Sequence, residues 1–158
     1  MNRKRRKKLD PFDPKFQFYF TLSEFSWFLR VKKETIKRWA GWINSPWKVP
    51  GFPQHYYRGH NLVWEIKDIE EWLGISLRGK RIVNPLLSIK DIMALTGKAE
   101  STVREWIKKG KLKAIRIGYK NLRVEQRELI NYLDETYDYR TIDRMKANSM
   151  NFRSEKYY

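Results

Sequence analysis

Residues 88–92 (SIKDI) and 102–106 (TVREW) carry the chemistry of residues 21–25 (TLSEF) and 35–39 (TIKRW), displaced by 67 positions with no gap. Each copy offers a hydroxyl that can cap a helix, then an apolar residue and an acid. A β-branched residue with cations beside it and a closing Trp follow. A fixed self-similarity marks the duplication of a structural unit. Because two copies are too few for a solenoid, the sequence predicts two tandem domains.

Both copies predict a first helix with a capping box at its N-terminus. In the first copy Thr21 caps a helix that begins at Leu22, and Glu24 stands at the third helical position. In the second copy Ser88 and Asp91 occupy the same two positions. The hydroxyl and the acid of such a box each bond a backbone N–H that the helix leaves unsatisfied.

A second helix follows in each copy. Apolar residues at i, i+3 and i+7 predict a helix from Glu34 to about Ile43 in the first copy. In the second copy Ser101 is predicted to cap the corresponding helix. Gly110 is predicted to end that helix, because glycine commonly stands just past a helix C-terminus.

The remaining elements of each copy are a predicted hairpin and a short closing helix. Proline and glycine exclude a helix from residues 46–61, which we interpret as a long β-hairpin or wing. Residues 114–124 are typical of strand, turn and strand. The closing helices are predicted at residues 68–73 and 126–133.

The charge balance indicates an anionic partner. The chain has 158 residues and a net charge of +16, with 34 Lys and Arg against 18 Asp and Glu. This excess favours nucleic acid first and an anionic membrane surface second. Hydrophobic residues make up 41% of the chain, which is enough to build cores.

Several classes of protein are excluded or disfavoured. The chain has no Cys, which excludes disulfides, Cys-ligated zinc and thiol catalysis. No run approaches the ~18 apolar residues of a membrane span, and no apolar stretch of signal-peptide length follows the N-terminus. We therefore expect a cytoplasmic protein that associates with the nucleoid or with a plasmid.

Two basic segments lie outside the repeats. Residues 2–8 contain six cations and no acid, so this arm repels itself and is expected to be disordered when free. It is either a solubility feature or a contact for phosphates and the minor groove. Residues 78–81 (RGKR) resemble a minor-groove-inserting tripeptide with a flanking cation, and a plain flexible linker is the alternative.

The second copy resembles the excisionase-type, MerR-like winged helix-turn-helix. The motifs that carry this resemblance are residues 87–92, 101–107, 110–112, 114–118, 123–124 and Leu129. The first copy resembles the phage-regulator branch of the same group, through residues 21–24, 51–53, 58–59 and Trp64 followed by 68–73. It departs from that branch by a wing about seven residues longer and by its many aromatic residues.

The resemblance implies an α+β fold of two tandem winged helix-turn-helix domains with a basic N-terminal arm and a short C-terminal tail. The expected boundaries are residues 1–14 for the disordered arm, 15–74 and 86–133 for the two domains, 75–85 for the basic linker and 134–158 for the tail. It also implies binding of double-stranded DNA. The second helix of each domain would enter the major groove, and the wing would lie against the backbone or minor groove.

The candidate DNA-contacting residues are short polar or long basic side chains on the outer sides of these elements. In the arm, first domain and linker they are Arg3, Lys4, Arg5, Arg6, Lys32, Lys33, Thr35, Lys37, Arg38, Arg58, Arg78, Lys80 and Arg81. In the second domain they are Ser101, Thr102, Arg104, Glu105, Lys108, Arg116, Lys120 and Arg123. Arg104 is the candidate for a guanine contact, because its fork can bond both acceptors of the guanine edge.

Other residues have plainer interpretations. The helical spacing of Trp39 and Trp106 favours core positions over base stacking. His55 and His60 lack a third ligand in the sequence, and Asp10 and Asp13 fit turn chemistry better than paired catalytic acids. We therefore expect no metal site, no cofactor and no catalysis.

The sequence predicts an accessory or regulatory protein of a mobile element: an excisionase-like protein, a plasmid or transfer-origin factor, or a phage regulator. It would bind an asymmetric or direct-repeat site with two recognition helices. A plasmid replication initiator or partition adaptor is the alternative. A recombinase, relaxase or replication protein could bind the tail or the first wing. In a further alternative, the aromatic-rich first domain binds protein and only the second domain binds DNA.

Overall fold

The chain divides into two compact units. The computed structural model describes residues 8–9, 18–42, 46–77, 84–136, 138–143 and 145. The first unit holds the described residues up to 27 and those from 31 to 77, and the second holds residues 28–30 and those from 84 onward. Both units mix helices with a small sheet.

The first unit combines three helices with a four-stranded sheet. Its elements are β1 (Lys8–Leu9), β2 (Tyr19–Thr21), α1 (Leu22–Leu29), α2 (Lys33–Trp39), β3 (His55–Arg58), β4 (Asn61–Glu65) and α3 (Ile66–Leu73). The last two residues of α1 are counted with the second unit. The strand order is β1-β3-β4-β2, in which β1 is parallel to β3 and the other pairs are antiparallel. Lys8 and Leu9 belong to the arm that was predicted to be disordered, but as β1 they pair with β3.

The second unit has the same order of helix, helix, hairpin and helix. Its elements are α4 (Ile89–Thr96), α5 (Glu100–Lys108), β5 (Ile115–Ile117), β6 (Asn121–Arg123) and α6 (Gln126–Glu135). An isolated bridge joins Leu87 to Val124, with both N–H···O distances at 2.8 Å. Residues 139–143 are also helical.

Both predicted capping boxes are present. The backbone N–H of Thr21 donates to Glu24, and the N–H of Glu24 donates to the Thr21 hydroxyl, each over 3.2 Å. In the second unit the N–H of Ser88 donates to Asp91 over 2.9 Å and the N–H of Asp91 donates to the Ser88 hydroxyl over 3.1 Å. The capping boxes thus place the start of α1 and of α4, as the sequence predicted.

The second helices differ from the prediction at their ends. The helix expected to reach about Ile43 ends at Trp39, and Gly41 takes a left-handed backbone with φ 72° that breaks the helix. Ile43 itself lies outside the described residues. The prediction that Ser101 caps α5 is wrong, because α5 begins at Glu100 with Ala99 in extended conformation at the N-cap.

The first wing is shorter than predicted. Its strands run over residues 55–65 and join at the two-residue turn of Gly59 and His60. The second hairpin turns through three residues, 118–120. The seven extra residues of the first copy therefore precede the hairpin, where the described residues between α2 and β3 form no strand. This loop is rich in proline, which has no N–H for a sheet ladder.

The cores of the two units are built from different side chains. The first core is aromatic. The ring centroid of Phe25 lies 5.1 Å from that of Trp64 and 5.7 Å from that of Phe52, and the centroids of Phe52 and Trp72 are 4.9 Å apart. The second core is aliphatic: Leu87, Ile92, Leu95, Val103, Leu112, Val124, Leu129, Leu133, Ile142 and Met145. Ile142 and Met145 belong to residues 134–158, the predicted C-terminal tail, and are nevertheless part of this core.

An ion pair within the second unit fixes the start of α4. Arg30, a non-glycine residue at φ 59°, donates through Nε and Nη2 to the two carboxylate oxygens of Asp91 over 3.0 and 2.7 Å. Burial raises the pKa of Asp91, but the hydrogen bonds from Arg30 and Ser88 outweigh it and hold that pKa below its ordinary value of 3.8. The Asp91 carboxylate therefore both completes the capping box and forms the ion pair with Arg30.

Candidate nucleic-acid interface

In the first unit, α2 has one buried stripe and a basic outer side. Ile36 and Trp39 are buried, which confirms the prediction that Trp39 belongs to the core. The predicted contact residues lie elsewhere on and before this helix: Lys32 and Arg38 are exposed, and Lys33, Thr35 and Lys37 are half-buried. The helix is thus anchored by its apolar stripe and presents cations outward.

In the second unit, α5 is anchored by Val103, which is fully buried. Trp106 and Ile107 are half-buried against the same core, and the Trp106 ring lies 5.0 Å from that of Tyr132. The predicted core role of Trp106 is therefore partly met. Of the predicted contact residues on this helix, Ser101, Arg104, Glu105 and Lys108 are exposed and Thr102 is half-buried.

Two ion pairs cross the exposed side of α5. Arg104 lies 2.9 Å from Glu100 and Lys109 lies 2.8 Å from Glu105, both at i, i+4 spacing. Hydrogen bonding to Lys109 lowers the pKa of Glu105, and the same bond raises the pKa of Lys109. Such exposed pairs are weak and screened by salt, so Arg104 can exchange Glu100 for an anionic ligand. Glu100 was not among the predicted site residues, although its i, i+4 spacing from Arg104 indicates the pair.

The second wing presents two of its three predicted cations. Arg116 on β5 and Lys120 in the turn are exposed. The turn also exposes half of the Tyr119 side chain, which is not among the predicted contact residues. Both cations are therefore open to a phosphate backbone.

The structure corrects the prediction for Arg123. Its side chain is only 8% exposed, and it donates to the carbonyl oxygens of Leu29 over 2.7 Å, Arg30 over 3.0 Å and Leu122 over 2.8 Å. Basic side chains commonly satisfy the last carbonyls of a helix in this way. Arg123 is thus a structural residue of the second unit and does not face outward from the wing.

Three predicted cations of the first unit converge on one cleft. Lys33 and Lys37 from α2 and Arg58 from the end of β3 line it, together with Trp42 and Tyr57. The Lys37 ammonium lies 4.9 Å from the centroid of the Trp42 ring, within the range of a cation–π contact. No local sequence pattern predicts this grouping, because the residues come from separate elements.

The other predicted cations lie outside the described residues. These are the arm residues Arg3, Lys4, Arg5 and Arg6 and the linker residues Arg78, Lys80 and Arg81. Their DNA contacts stay predictions.

The two histidines are placed differently from each other. His55 is buried beside the rings of Tyr57 and Trp64, whereas His60 is exposed in the turn of the first wing. The described part of the chain contains no group of three or more potential metal ligands. Among the same residues, no helix is long and apolar enough to cross a membrane.

Comparison with known proteins identifies the second unit. Residues 86–137 match the family model of a helix-turn-helix domain, and this range contains α4, α5, the β5–β6 hairpin and α6. The second unit therefore contains a helix-turn-helix DNA-binding domain, with α4 and α5 as its helix pair. No curated protein and no solved structure matches the chain.

Proposed function

We propose that both units are winged helix-turn-helix domains, and that the chain is a sequence-specific duplex DNA-binding protein that contacts two unlike half-sites. The observation that carries this proposal is the register of the helix pairs. α1 begins at Leu22 and α4 at Ile89, while α2 begins at Lys33 and α5 at Glu100. Both pairs of helices are displaced by the 67 positions of the sequence repeat.

The elements after each helix pair support the same conclusion. An antiparallel hairpin and a closing helix follow in each unit, as β3, β4 and α3 in the first and as β5, β6 and α6 in the second. The matched helix-turn-helix domain contains this order of elements. A common order at a common register favours a common mode of binding.

The outer sides of α2 and α5 determine the form of the DNA site. Arg38 and Glu105, both exposed on the outer sides, stand 67 positions apart. Different side chains at matched positions select different bases. Because one chain carries both units in the same order, the half-sites are expected in direct order and not as a palindrome, about one helical turn apart.

The biological role is an accessory or regulatory one on a mobile element, acting in the cytoplasm. The excisionase-like character of the matched helix-turn-helix family supports this role. The chain's charge of +16 supplies the long-range attraction to DNA that a small accessory protein needs.

The direct test is duplex binding by the full chain and by Arg104→Ala. We expect the variant to lose about 1–3 kcal/mol of site-specific binding, because the guanidinium fork can bond both acceptors of a guanine. Fluorescence anisotropy with a selected duplex measures this loss. Arg127→Ala is the matched control, since Arg127 is exposed on α6 and belongs to no predicted contact. Equal affinities of the Arg104→Ala and Arg127→Ala variants would contradict the role of α5.

A second candidate is a protein-binding role for the first unit. The observation that favours it is Trp47, whose side chain is 60% exposed in the loop before the wing. Under this alternative, Lys37→Ala and Arg38→Ala leave DNA affinity unchanged while Arg104→Ala abolishes it. The two-domain proposal instead requires a loss for variants in both helices.

A further inference from the structure

The cleft of the first unit has features that duplex binding does not require. It occupies about 920 Å³ between the start of α1, the side of α2 and the β3–β4 wing. This size lies within the usual range of small-ligand sites, which is ~300–1,000 Å³. It is therefore large enough to admit a nucleotide.

The charged lining of the cleft suits a phosphate. Lys33 and Lys37 lie on consecutive turns of α2, and Arg58 faces them from β3. No carboxylate is among the described residues that line the cleft. Cations from two elements that surround one volume are an arrangement that binds phosphate oxygens.

The aromatic lining suits a base. The backbone N–H of Trp42 donates to the backbone carbonyl of Lys37 over 3.0 Å, which holds the Trp42 backbone just beyond the end of α2. Tyr57 and Arg58 are the last two residues of β3, and both line the cleft. Paired bases in a duplex are stacked on each other and expose only their edges, whereas an unpaired base offers its face to an aromatic ring.

The second unit lacks these rings at the matching positions. The residues 67 positions after Lys33 and Trp42 are Glu100 and Lys109. In the second unit an acid therefore stands in place of the Lys33 cation and a lysine in place of the Trp42 ring. In the first hairpin the second residue pair from the turn is Tyr57 and Leu62. In the second hairpin the same pair is Arg116 and Leu122, so an arginine stands in place of the Tyr57 ring. The aromatic cleft is therefore specific to the first unit and is not part of the repeated pattern.

We propose that this cleft binds an unpaired nucleotide of a DNA strand. The phosphate lies among Lys33, Lys37 and Arg58, and the base lies against Tyr57 and Trp42. The proposal rests on the proposed function in taking DNA as the partner. It adds that the first unit holds a single-stranded segment, such as one exposed at a nick or a melted site.

The test compares single-stranded and duplex DNA on the full chain. The probes are a fluorescein-labelled oligothymidylate of about 12 nucleotides and a blunt duplex, measured by anisotropy at fixed salt. The double variant Trp42→Leu/Tyr57→Leu should bind the oligothymidylate about 5- to 150-fold more weakly, the effect of losing base stacking. Its affinity for the duplex should stay within about twofold of the parent.

Two variants control for folding and for general loss of aromatic surface. Tyr57→Phe keeps the ring and should retain single-strand affinity. Phe18→Leu removes a half-exposed ring of the same unit outside the cleft and should change neither affinity. In parallel, photocrosslinking of an oligonucleotide with 5-iododeoxyuridine, mapped by mass spectrometry, should label Tyr57 or Trp42 in the parent chain, which needs no variant to fold.

The outcomes separate this proposal from the proposed function. Unchanged single-strand affinity in the double variant, or crosslinks that lie only outside the cleft, would overturn it. So would an equal loss for duplex, which would assign the cleft to the duplex backbone, or displacement of the oligonucleotide by thymidine monophosphate at comparable affinity, which would assign it to a free nucleotide. Failure of the parent chain to bind any duplex, with the single-strand effect intact, would refute the proposed function alone.

Discussion

The two units place helices at matched positions over unlike cores. Phe25 of α1 and Ile92 of α4 stand 67 positions apart, and both are fully buried. Around Phe25 the neighbours are the rings of Phe52, Trp64 and Trp72, whereas Ile92 lies among aliphatic side chains. The repeated pattern thus determines where the helices begin, and the residues outside the pattern determine how the space beneath them is filled.

The outer sides of the paired helices differ as much as the cores. α2 carries Lys33, Lys37 and Arg38 with one acid, Glu34. On and just after α5, Glu100 and Glu105 form ion pairs with Arg104 and Lys109. We infer that α2 adds more affinity for any DNA than α5 does, because cations that outnumber the acids beside them favour phosphates wherever they occur.

The largest expected effect concerns the two cores. Phe25→Ala should reduce the free energy of unfolding of the first unit by about 3–5 kcal/mol, and Ile92→Ala that of the second by about 2–5 kcal/mol, because each leaves a cavity. Denaturant unfolding measures the loss, and hydrogen exchange assigns it to a unit. Ser23→Ala, at an exposed position of α1, is the control. A loss below ~1 kcal/mol for Phe25→Ala would contradict the aromatic core.

The next effect distinguishes the two capping boxes. Asp91→Asn should destabilise the second unit by about 2–4 kcal/mol at neutral pH, since it leaves the largely buried Arg30 side chain without its carboxylate. Glu24→Gln, at the matching position of the first box, should cost less, about 0.5–1 kcal/mol. Denaturant titrations of both variants at pH 7 give the comparison. Equal losses would show that the Arg30 pair adds nothing to the capping box.

The Asp91 contribution should also depend on pH. Because the folded-state pKa of Asp91 lies below its ordinary value of 3.8, the contribution is fully present above pH ~4 and disappears as the pH falls through the folded-state pKa. The difference in unfolding free energy between the parent and Asp91→Asn should therefore be constant from pH 7 to about 5 and shrink below about 4. A constant difference down to pH 3 would contradict the ion pair.

Local signals in the sequence were enough to predict the starts of α1 and α4 but not the features that depend on distant residues. Thr21 with Glu24, and Ser88 with Asp91, bond within one turn, so their spacing reveals them. Arg123 looks like a solvent-facing cation on a strand, yet it donates to a carbonyl 94 residues earlier in the chain. The cleft residues Lys37, Trp42 and Tyr57 are likewise brought together only by packing.

A smaller effect compares the DNA contact of Arg104 on α5 with that of Lys37 on α2. Arg104→Ala should relax base preference with a loss of about 1–3 kcal/mol on the specific site. Lys37→Ala, its match in the first unit, should weaken binding to all sequences and reduce the slope of log affinity against log salt by about 0.9. Binding titrations at several salt concentrations on specific and scrambled duplexes distinguish the two. Lys67→Ala, exposed on α3, is the control. A relaxed base preference for Lys37→Ala would contradict the prediction that Lys37 contacts phosphates.

The smallest effect concerns the exposed pair on α5. Lys109→Ala should leave the unfolding midpoint unchanged within error, because both partners are more than half exposed and solvent screens their attraction. Thermal unfolding followed by circular dichroism checks this. A clear fall in the unfolding midpoint would show that the Glu105–Lys109 pair stabilises α5.

The proposed function requires one chain to contact DNA through two different helices, α2 and α5. Selection of bound duplexes from a random library by the full chain, followed by footprinting of the best site, tests it most directly. We predict one protected region with two unlike motifs in direct order, about one helical turn apart. A single short motif, a palindrome of identical half-sites, or binding without sequence preference would contradict it.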